Sequence, residues 1–133
     1  MKAALKWEKD SLFRGENENG ITIALDGCNK EGLEPMALLL LSLGGSTGMN
    51  VINILNKMQV NYTDLSLQIE GERYNEEPGH FRKITLRYIL KGNKMMRDKF
   101  KRAIDLSMKK YCSVLHSLDK RIGIKIEYCI VDN

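Results

Sequence analysis

The sequence of 133 residues predicts a single α+β domain, because its strands are clustered instead of alternating strictly with helices. Apolar and polar residues alternate, the period of a strand, near the start of the chain, in its middle and at its end. Two long stretches with helical periodicity separate these regions, and no linker or repeat divides the chain. The expected order is therefore a β-meander, a long helix, a hairpin, a second helix and a final strand.

The first third of the chain predicts a small meander of three strands. Apolar residues from Ala3 to Trp7 indicate the first strand, with Trp7 expected in the core, and residues 12–16 indicate the second. A turn at residues 16–20 leads to a third strand, because apolar side chains alternate there with small or polar ones at Ile21, Ile23 and Leu25.

The first helix is predicted to begin at Pro35, since proline suits the first helical turn, where its missing N–H would be unpaired anyway. Residues 36–58 are rich in Leu, Met and Ala, and apolar positions recur on one helical face. Up to Leu43 the helix is apolar all round, which implies burial on every side and hence an oligomer interface. Gly44 and Gly45 allow either a kink or a close backbone approach.

The second half predicts a hairpin, a helix and a strand. Residues 65–70 and 84–90 alternate in polarity around a turn at 73–79, which indicates an antiparallel pair. Helical periodicity returns from about Met96 to Arg121, and Gly123 is expected to close that helix. The final strand is the clearest in the chain, with an alternating apolar set at Ile122, Ile124, Ile126, Tyr128 and Ile130.

Composition and charge exclude several function classes. The net charge is +4, and its basic excess between Lys91 and Arg121 is interpreted as the solvated face of an amphipathic helix. The longest apolar run, from Pro35 to Leu43, is shorter than the roughly 20 residues of a membrane span. With no secretory leader, the protein is expected in the cytoplasm, without nucleic-acid or membrane partners.

Cysteine and histidine usage predicts neither a disulfide scaffold nor a metal site. Three dispersed cysteines form no C-x-x-C pair, and two histidines lack ligand spacing, so no metal and no cofactor are expected. The pattern Gly-Gly-Ser-Thr-Gly at residues 44–48 satisfies the nucleophile elbow of hydrolases. We nevertheless disfavour a hydrolase, because the preceding run lacks β-branched residues and the chain is about half the length that such a fold needs.

Three longer segments carry a family resemblance. The run from Pro35 to Leu55 has the pattern of a proline, apolar residues and then Gly-Gly-Ser-Thr-Gly-Met-Asn-Val-Ile-Asn-Ile-Leu. Residues 69–84 supply Ile-Glu-Gly-Glu-Arg and a later proline, and residues 103–114 read Ala-Ile-Asp-Leu-Ser followed by Lys-Tyr-Cys-Ser-Val. From about Lys2 to Val131, the chain resembles the OsmC/Ohr-like proteins. These proteins typically have Gly-Gly-Cys in the first of these segments, where this chain has Gly-Gly-Ser.

This resemblance implies two antiparallel-sheet layers packed around two long helices, in an intertwined homodimer with its active site at the dimer interface. It also implies reduction of organic or hydrogen peroxides by two cysteines. The first becomes a sulfenic acid, the second closes a disulfide on it, and a thiol reductant reopens that disulfide.

The family's site residues carry over only in part. The resolving cysteine corresponds to Cys112, whereas the peroxidatic cysteine corresponds to Ser46, so turnover by the family mechanism is not expected. The glutamate of Ohr-type members corresponds to Met36, and Arg14 is the candidate for their activating arginine. Met36 and Met49 are expected to line the pocket. The loss of the glutamate as well as the cysteine favours natural divergence over an introduced change at Ser46.

Cys112 and His116 stand at i and i+4, which leaves two interpretations open. An imidazolium on the same helix face would lower the pKa of the thiol. The alternative, which the sequence favours, is that Cys112 is a small buried apolar residue and His116 a residue of the rim.

Two functional hypotheses follow. The chain is either an OsmC/Ohr-type protein of thiol-dependent hydroperoxide reduction, impaired by Ser46 and dependent on a thiol reductant where active, or a non-catalytic dimer that binds a small hydrophobic ligand. In the second case Ser46 contributes a hydroxyl hydrogen bond in place of the thiolate.

Overall fold

A computed structural model describes residues 1–132, which form two compact units: residues 1–39 and the chain from residue 40 onward. The prediction of one domain over residues 1–133 stays a prediction. The predicted α+β class is confirmed, with the strands in two three-stranded sheets.

The first sheet is the predicted meander. It contains β1 (Ala3–Lys9), β2 (Leu12–Asn17) and β3 (Thr22–Asp26), paired antiparallel in that order. Trp7 is not a core residue as predicted: it is 60% exposed, and its indole N–H donates a hydrogen bond to the Asp10 carbonyl. Strand alternation puts it on one face of the sheet, and apolar side chains there remain exposed in the single chain, at Leu5, Trp7, Phe13 and Ile23.

The long helix α1 runs from Pro35 to Lys57 and begins at the expected proline. Its buried residues lie on one face, at Leu43, Gly44, Thr47, Val51 and Leu55. In the single chain Leu41 is 51% exposed and Met49 is 69% exposed, so burial on every side through an oligomer interface stays a prediction. Within residues 1–132, α1 is the one helix whose length and hydropathy would also permit a membrane crossing, a test that core helices of soluble proteins pass too.

The glycines in the middle of α1 do not kink the helix, and Gly44 allows it to approach the second sheet closely. A Cβ on Gly44 would collide with the side chain of Ile69, whereas a Cβ on Gly45 would meet nothing. Gly44 thus lets α1 pack against the second sheet without interrupting the helix.

The second sheet has the strand order β4 (Tyr62–Arg73), β5 (Phe81–Gly92) and β6 (Gly123–Val131). β4 and β5 form the predicted antiparallel hairpin. β6, however, pairs with β5 in parallel, so this sheet is mixed and not purely antiparallel. The parallel direction follows from the helical crossover that joins the two strands. Gly123 begins β6 and does not close a helix.

The second helical region is broken where one continuous helix was predicted. After a short 3₁₀ turn, α2 (Arg97–Leu106) continues into a π-helical turn at Ser107–Tyr111. Cys112 is extended, with φ −75° and ψ 98°, and α3 (Ser113–Ser117) follows it. The π turn is closed by a hydrogen bond from the Cys112 N–H to the Ser107 carbonyl, 2.8 Å. Such turns are rare and frequently occur at functional sites.

Candidate functional site

Ser46 and Cys112 lie side by side although 66 residues separate them in the chain. The Cys112 thiol donates a hydrogen bond to the Ser46 hydroxyl, with a Sγ–Oγ distance of 3.4 Å. Ser46 is half-buried in the middle of α1, and Cys112 is buried at the end of the π turn. The predicted approach of these two side chains is therefore confirmed, while their roles stay predictions.

A buried cluster of three hydroxyls supports this pair. Thr47 Oγ1 lies 2.7 Å from Ser107 Oγ and 2.8 Å from Tyr88 Oη, and all three side chains are buried. The Ser107 hydroxyl also lies 3.3 Å from the Thr47 carbonyl oxygen. Thr47 follows Ser46 directly, and Ser107 begins the π turn that ends at Cys112. The cluster thus ties together the two backbone segments that carry the pair.

Tyr88 remains a neutral phenol in this cluster. Burial raises the pKa of Tyr88 to about 12, and its hydrogen bond with Thr47 opposes this rise. The thioether sulfur of Met108 lies 3.4 Å from Tyr88 Oη and 3.6 Å from Thr47 Oγ1, where it accepts from these hydroxyls. No buried side-chain nitrogen or oxygen in the described chain lacks a hydrogen-bond partner, so the cluster is fully satisfied.

His116 does not engage the thiol of Cys112. Its Nδ1 lies 2.7 Å from the Cys112 carbonyl oxygen, so the imidazole bonds to the backbone, and the ring is exposed. This arrangement supports the interpretation of Cys112 as a buried residue with His116 at the rim. Cys28 and Cys129 are exposed and free.

The other residues predicted for the site, Arg14, Met36 and Met49, each lie within one of the two units, and their roles stay predictions. Arg14 and Met36 belong to the unit of residues 1–39, where the Arg14 guanidinium forms an ion pair with Glu8 of the adjacent strand. Met49 lines a groove of about 850 Å³ between α1 and β4. Ser46 is not among the lining residues of that groove, which are mostly small or apolar, including Leu41, Gly45, Ile52, Leu65 and Ile69.

The structure also excludes the hydrolase elbow. Residues 44–48 lie inside the continuous helix α1, whereas an elbow needs a sharp turn between a strand and a helix. Within residues 1–132, no group of three or more His, Cys, Asp or Glu side chains is arranged to hold a metal ion.

Sequence reasoning missed a second cavity, of about 360 Å³, on the same side of α1 as Ser46. Asn50 and Lys57, at four and eleven residues beyond Ser46, continue its helical face, and this spacing was the available signal. The partner residues on α2 and the π turn could not be assigned without the fold. The cavity is lined by Asn50, Asn53, Ile54, Lys57, Met58, Arg102, Leu106 and Tyr111.

Comparison with known proteins gives consistent results. Residues 27–127 match the family model described as OsmC-like protein. Protein YhfA of Escherichia coli (strain K12) is 34% identical over 132 residues, which cover 98% of each chain. A crystal structure of a hypothetical protein from Aquifex aeolicus VF5 is 26% identical, with a TM-score of 0.88 over 99% of this chain and 96% of that one.

A more distant similarity shows the fold alone. The organic hydroperoxide resistance protein OhrB of Bacillus subtilis superposes with a TM-score of 0.70 at 13% identity, covering 97% of this chain and 98% of that one. With a family model matched over most of its length and a full-length relative above 30% identity, this chain belongs to the OsmC-like protein family.

Proposed function

We propose that this chain is a dimeric OsmC/Ohr-type protein of the hydroperoxide-resistance class in which peroxide reduction is impaired by Ser46. The observation that carries the proposal is the 3.4 Å contact between Ser46 Oγ and Cys112 Sγ. A disulfide needs an S–S distance of about 2.0 Å, so two sulfurs at these positions would require only a small local shift to bond. The site thus keeps the spacing for two-cysteine chemistry but lacks one of the two sulfurs.

The missing sulfur matters for each step of that chemistry. A thiolate attacks a peroxide oxygen, so that an S–O bond forms, the O–O bond breaks and the leaving alkoxide takes a proton to become an alcohol. The second thiol then attacks the sulfenic sulfur, which forms the disulfide and releases water, and a thiol reductant restores both thiols. A serine hydroxyl is not ionised near neutral pH and forms no analogue of the sulfenic acid, so Ser46 supports neither step.

The proposed dimer is supported by two apolar surfaces that one chain leaves exposed. One is the groove between α1 and β4, with Leu41 and Met49 at its surface. The other is the meander face that carries Leu5 and Trp7. Contiguous apolar patches of this kind on a small protein are typical of interaction surfaces. A second copy of the chain supplies a partner for both.

The test of this proposal is peroxidase turnover with an alkyl hydroperoxide and a dithiol reductant. The unmodified chain should show negligible turnover, and Ser46→Cys should gain activity that Cys112→Ala abolishes. Met36 should keep this gain below that of a typical Ohr protein, because the carboxylate that orders the activating arginine is absent. Turnover by the unmodified chain that depends on Cys112 would contradict the proposal.

The second candidate function is non-catalytic binding of a small hydrophobic ligand. The cavity of about 360 Å³, whose lining begins at Asn50 on the helical face of Ser46, favours it, because Ile54, Met58 and Leu106 offer apolar walls there. Inactivity of both the parent and Ser46→Cys, together with a ligand retained in native mass spectrometry, would support this function instead. In either case we propose a cytoplasmic protein whose partners are a second copy and a small peroxide or hydrophobic ligand, with no nucleic acid or membrane among them.

A further inference from the structure

One sulfur atom near the candidate site has no role in two-cysteine chemistry: the thioether of Met108. Met108 is the second residue of the π turn, and its side chain is half-buried, so small solutes can reach it. Its Sδ lies 3.6 Å from the hydroxyl of Thr47, the residue that follows Ser46. Met108 therefore places an oxidisable sulfur beside the segment in which Ser46 stands where a cysteine was expected.

The cluster of three buried hydroxyls ends at this sulfur. The hydroxyls share three protons, and in one order Ser107 donates to Thr47 and Thr47 to Tyr88. The Tyr88 proton then points to Met108 Sδ, 3.4 Å away. In the other order Ser107 donates to the Thr47 carbonyl oxygen and Thr47 donates to Ser107. The Tyr88 hydroxyl can donate toward the sulfur in both orders.

The Tyr88 phenol suits this role because it keeps its proton. Burial raises the pKa of Tyr88 to about 12, so the phenol is neutral throughout the physiological pH range. A thioether accepts a hydrogen bond only weakly, whereas a sulfoxide is polar and its oxygen is a stronger acceptor. An oxygen on Met108 Sδ would accept from the Tyr88 hydroxyl at the usual O–H···O distance of about 2.7 Å. The cluster is thus arranged to stabilise the oxidised form of this side chain.

We propose that Met108 is a peroxide-reactive site, which an alkyl hydroperoxide converts to methionine sulfoxide. The thioether sulfur attacks the terminal peroxide oxygen, so that an S–O bond forms, the O–O bond breaks and the sulfur loses two electrons. The proton of the hydroperoxide ends on the alkoxide, which leaves as an alcohol, and the Tyr88 hydroxyl beside the sulfur relays this proton. The inference goes beyond the proposed function and does not rest on it, because one equivalent of peroxide is consumed without a second thiol.

Peptide mass spectrometry of the full chain during treatment with cumene hydroperoxide near neutral pH tests this inference. The rate of sulfoxide formation at Met108 should be at least about threefold higher than at Met95, because the Tyr88 hydroxyl assists the reaction at Met108. Exposure alone predicts the opposite order, since Met95 is 86% exposed and Met108 is half-buried. A rate at Met108 no higher than that at Met95 would overturn the inference.

Tyr88→Phe keeps the ring and removes the proton donor. It should lower the rate at Met108 to that of Met95 or below, without changing the rate at Met95. Tyr128→Phe is the matched control, since Tyr128 lies opposite Tyr88 on the neighbouring strand β6, and it should leave the rate at Met108 unchanged. An unchanged rate at Met108 in Tyr88→Phe, or an equal fall in Tyr128→Phe, would also overturn the inference. Circular dichroism checks that both variants are folded, and the comparison of Met108 with Met95 in the parent chain needs neither of them.

Discussion

Thr47 and Ser107 share a hydrogen bond of 2.7 Å between their side-chain oxygens, across 60 residues of sequence, inside the core. Each residue lies in a segment that carries the candidate site: Thr47 follows Ser46, and Ser107 begins the π turn that ends before Cys112. The contact therefore joins the two segments that carry the site residues, beside the Ser46–Cys112 contact itself.

Replacing Ser107 with alanine should lower the free energy of unfolding by about 1–3 kcal/mol, because Thr47 then loses a buried partner. Urea denaturation measures this loss. In a Ser46→Cys background, Ser107→Ala should also slow disulfide formation with Cys112. Ser117→Ala is the control, since the Ser117 hydroxyl bonds to a backbone carbonyl on the exposed face of α3. Equal effects of both replacements would mean that the Thr47–Ser107 contact has no special role.

Mild oxidation of Ser46→Cys should join the introduced thiol to Cys112, because the present Sγ–Oγ distance is 3.4 Å. Peptide mass spectrometry under non-reducing conditions identifies the crosslink. Cys28 and Cys129 serve as internal controls, since both are exposed and should remain uncrosslinked to the new thiol. Crosslinks to either of them in preference to Cys112 would contradict the placement of Cys112 in the π turn.

Sedimentation equilibrium should show a dimer at micromolar concentration. Met49→Glu should weaken it at least about tenfold, because a carboxylate would be buried without a partner in the groove between α1 and β4. Met95→Glu is a matched control, since Met95 is 86% exposed and lies outside the groove. A stable monomer of the parent chain would refute the dimer and, with it, the expectation from the family resemblance that the active site lies at the dimer interface.

Asp26 should make the stability of the chain depend on acid pH. The Ser11 hydroxyl, 2.7 Å away, and the N–H groups of Cys28 and Glu31 lower the pKa of Asp26 from 3.8 to about 2. Because the folded pKa is the lower one, this stabilisation is present above about pH 4 and is lost as the pH falls toward 2.

Urea unfolding of the parent and of Asp26→Asn between pH 2 and 7 measures this contribution. The difference in stability between them should shrink as the pH falls. A difference that is constant over the whole range would show that the carboxylate charge contributes nothing.

Periodicity predicted nearly all of the strands and the position of α1. Most of these elements bury one face, although β1 is exposed along its whole length in the single chain. Periodicity could not predict the break at Cys112, since the apolar spacing from Phe100 to Leu118 suits an unbroken helix. The first residue of the π turn, Ser107, contacts Thr47, and no local pattern encodes such a contact between distant segments. The parallel pairing of β6 was missed for the same reason, because strand direction is set by the crossover and not by alternation.

The site was predicted where a family pattern existed and missed where it did not. The family resemblance predicted that Ser46 and Cys112 lie close together, and their side chains are in contact. Arg102 was predicted only as part of a solvated helix face, and Lys57 was given no role. Residues on two helices form one cavity only after the helices have packed. Trp7 was placed in the core on the strength of its apolar character alone, although its face of the meander is exposed in the single chain.

The parallel pairing of β6 with β5 affects the order in which the parts of the chain can fold. The chain from Gly92 to Gly123 connects the neighbouring strands β5 and β6. The segment that contains Cys112 is therefore fixed at both ends only after β6 has paired with β5. Because β6 is synthesised after β5 and the helical crossover, the free side of β5 stays unpaired until β6 has left the ribosome. A chain that lacks β6 would carry Cys112 on a segment held at one end, beside an open strand edge that invites aggregation.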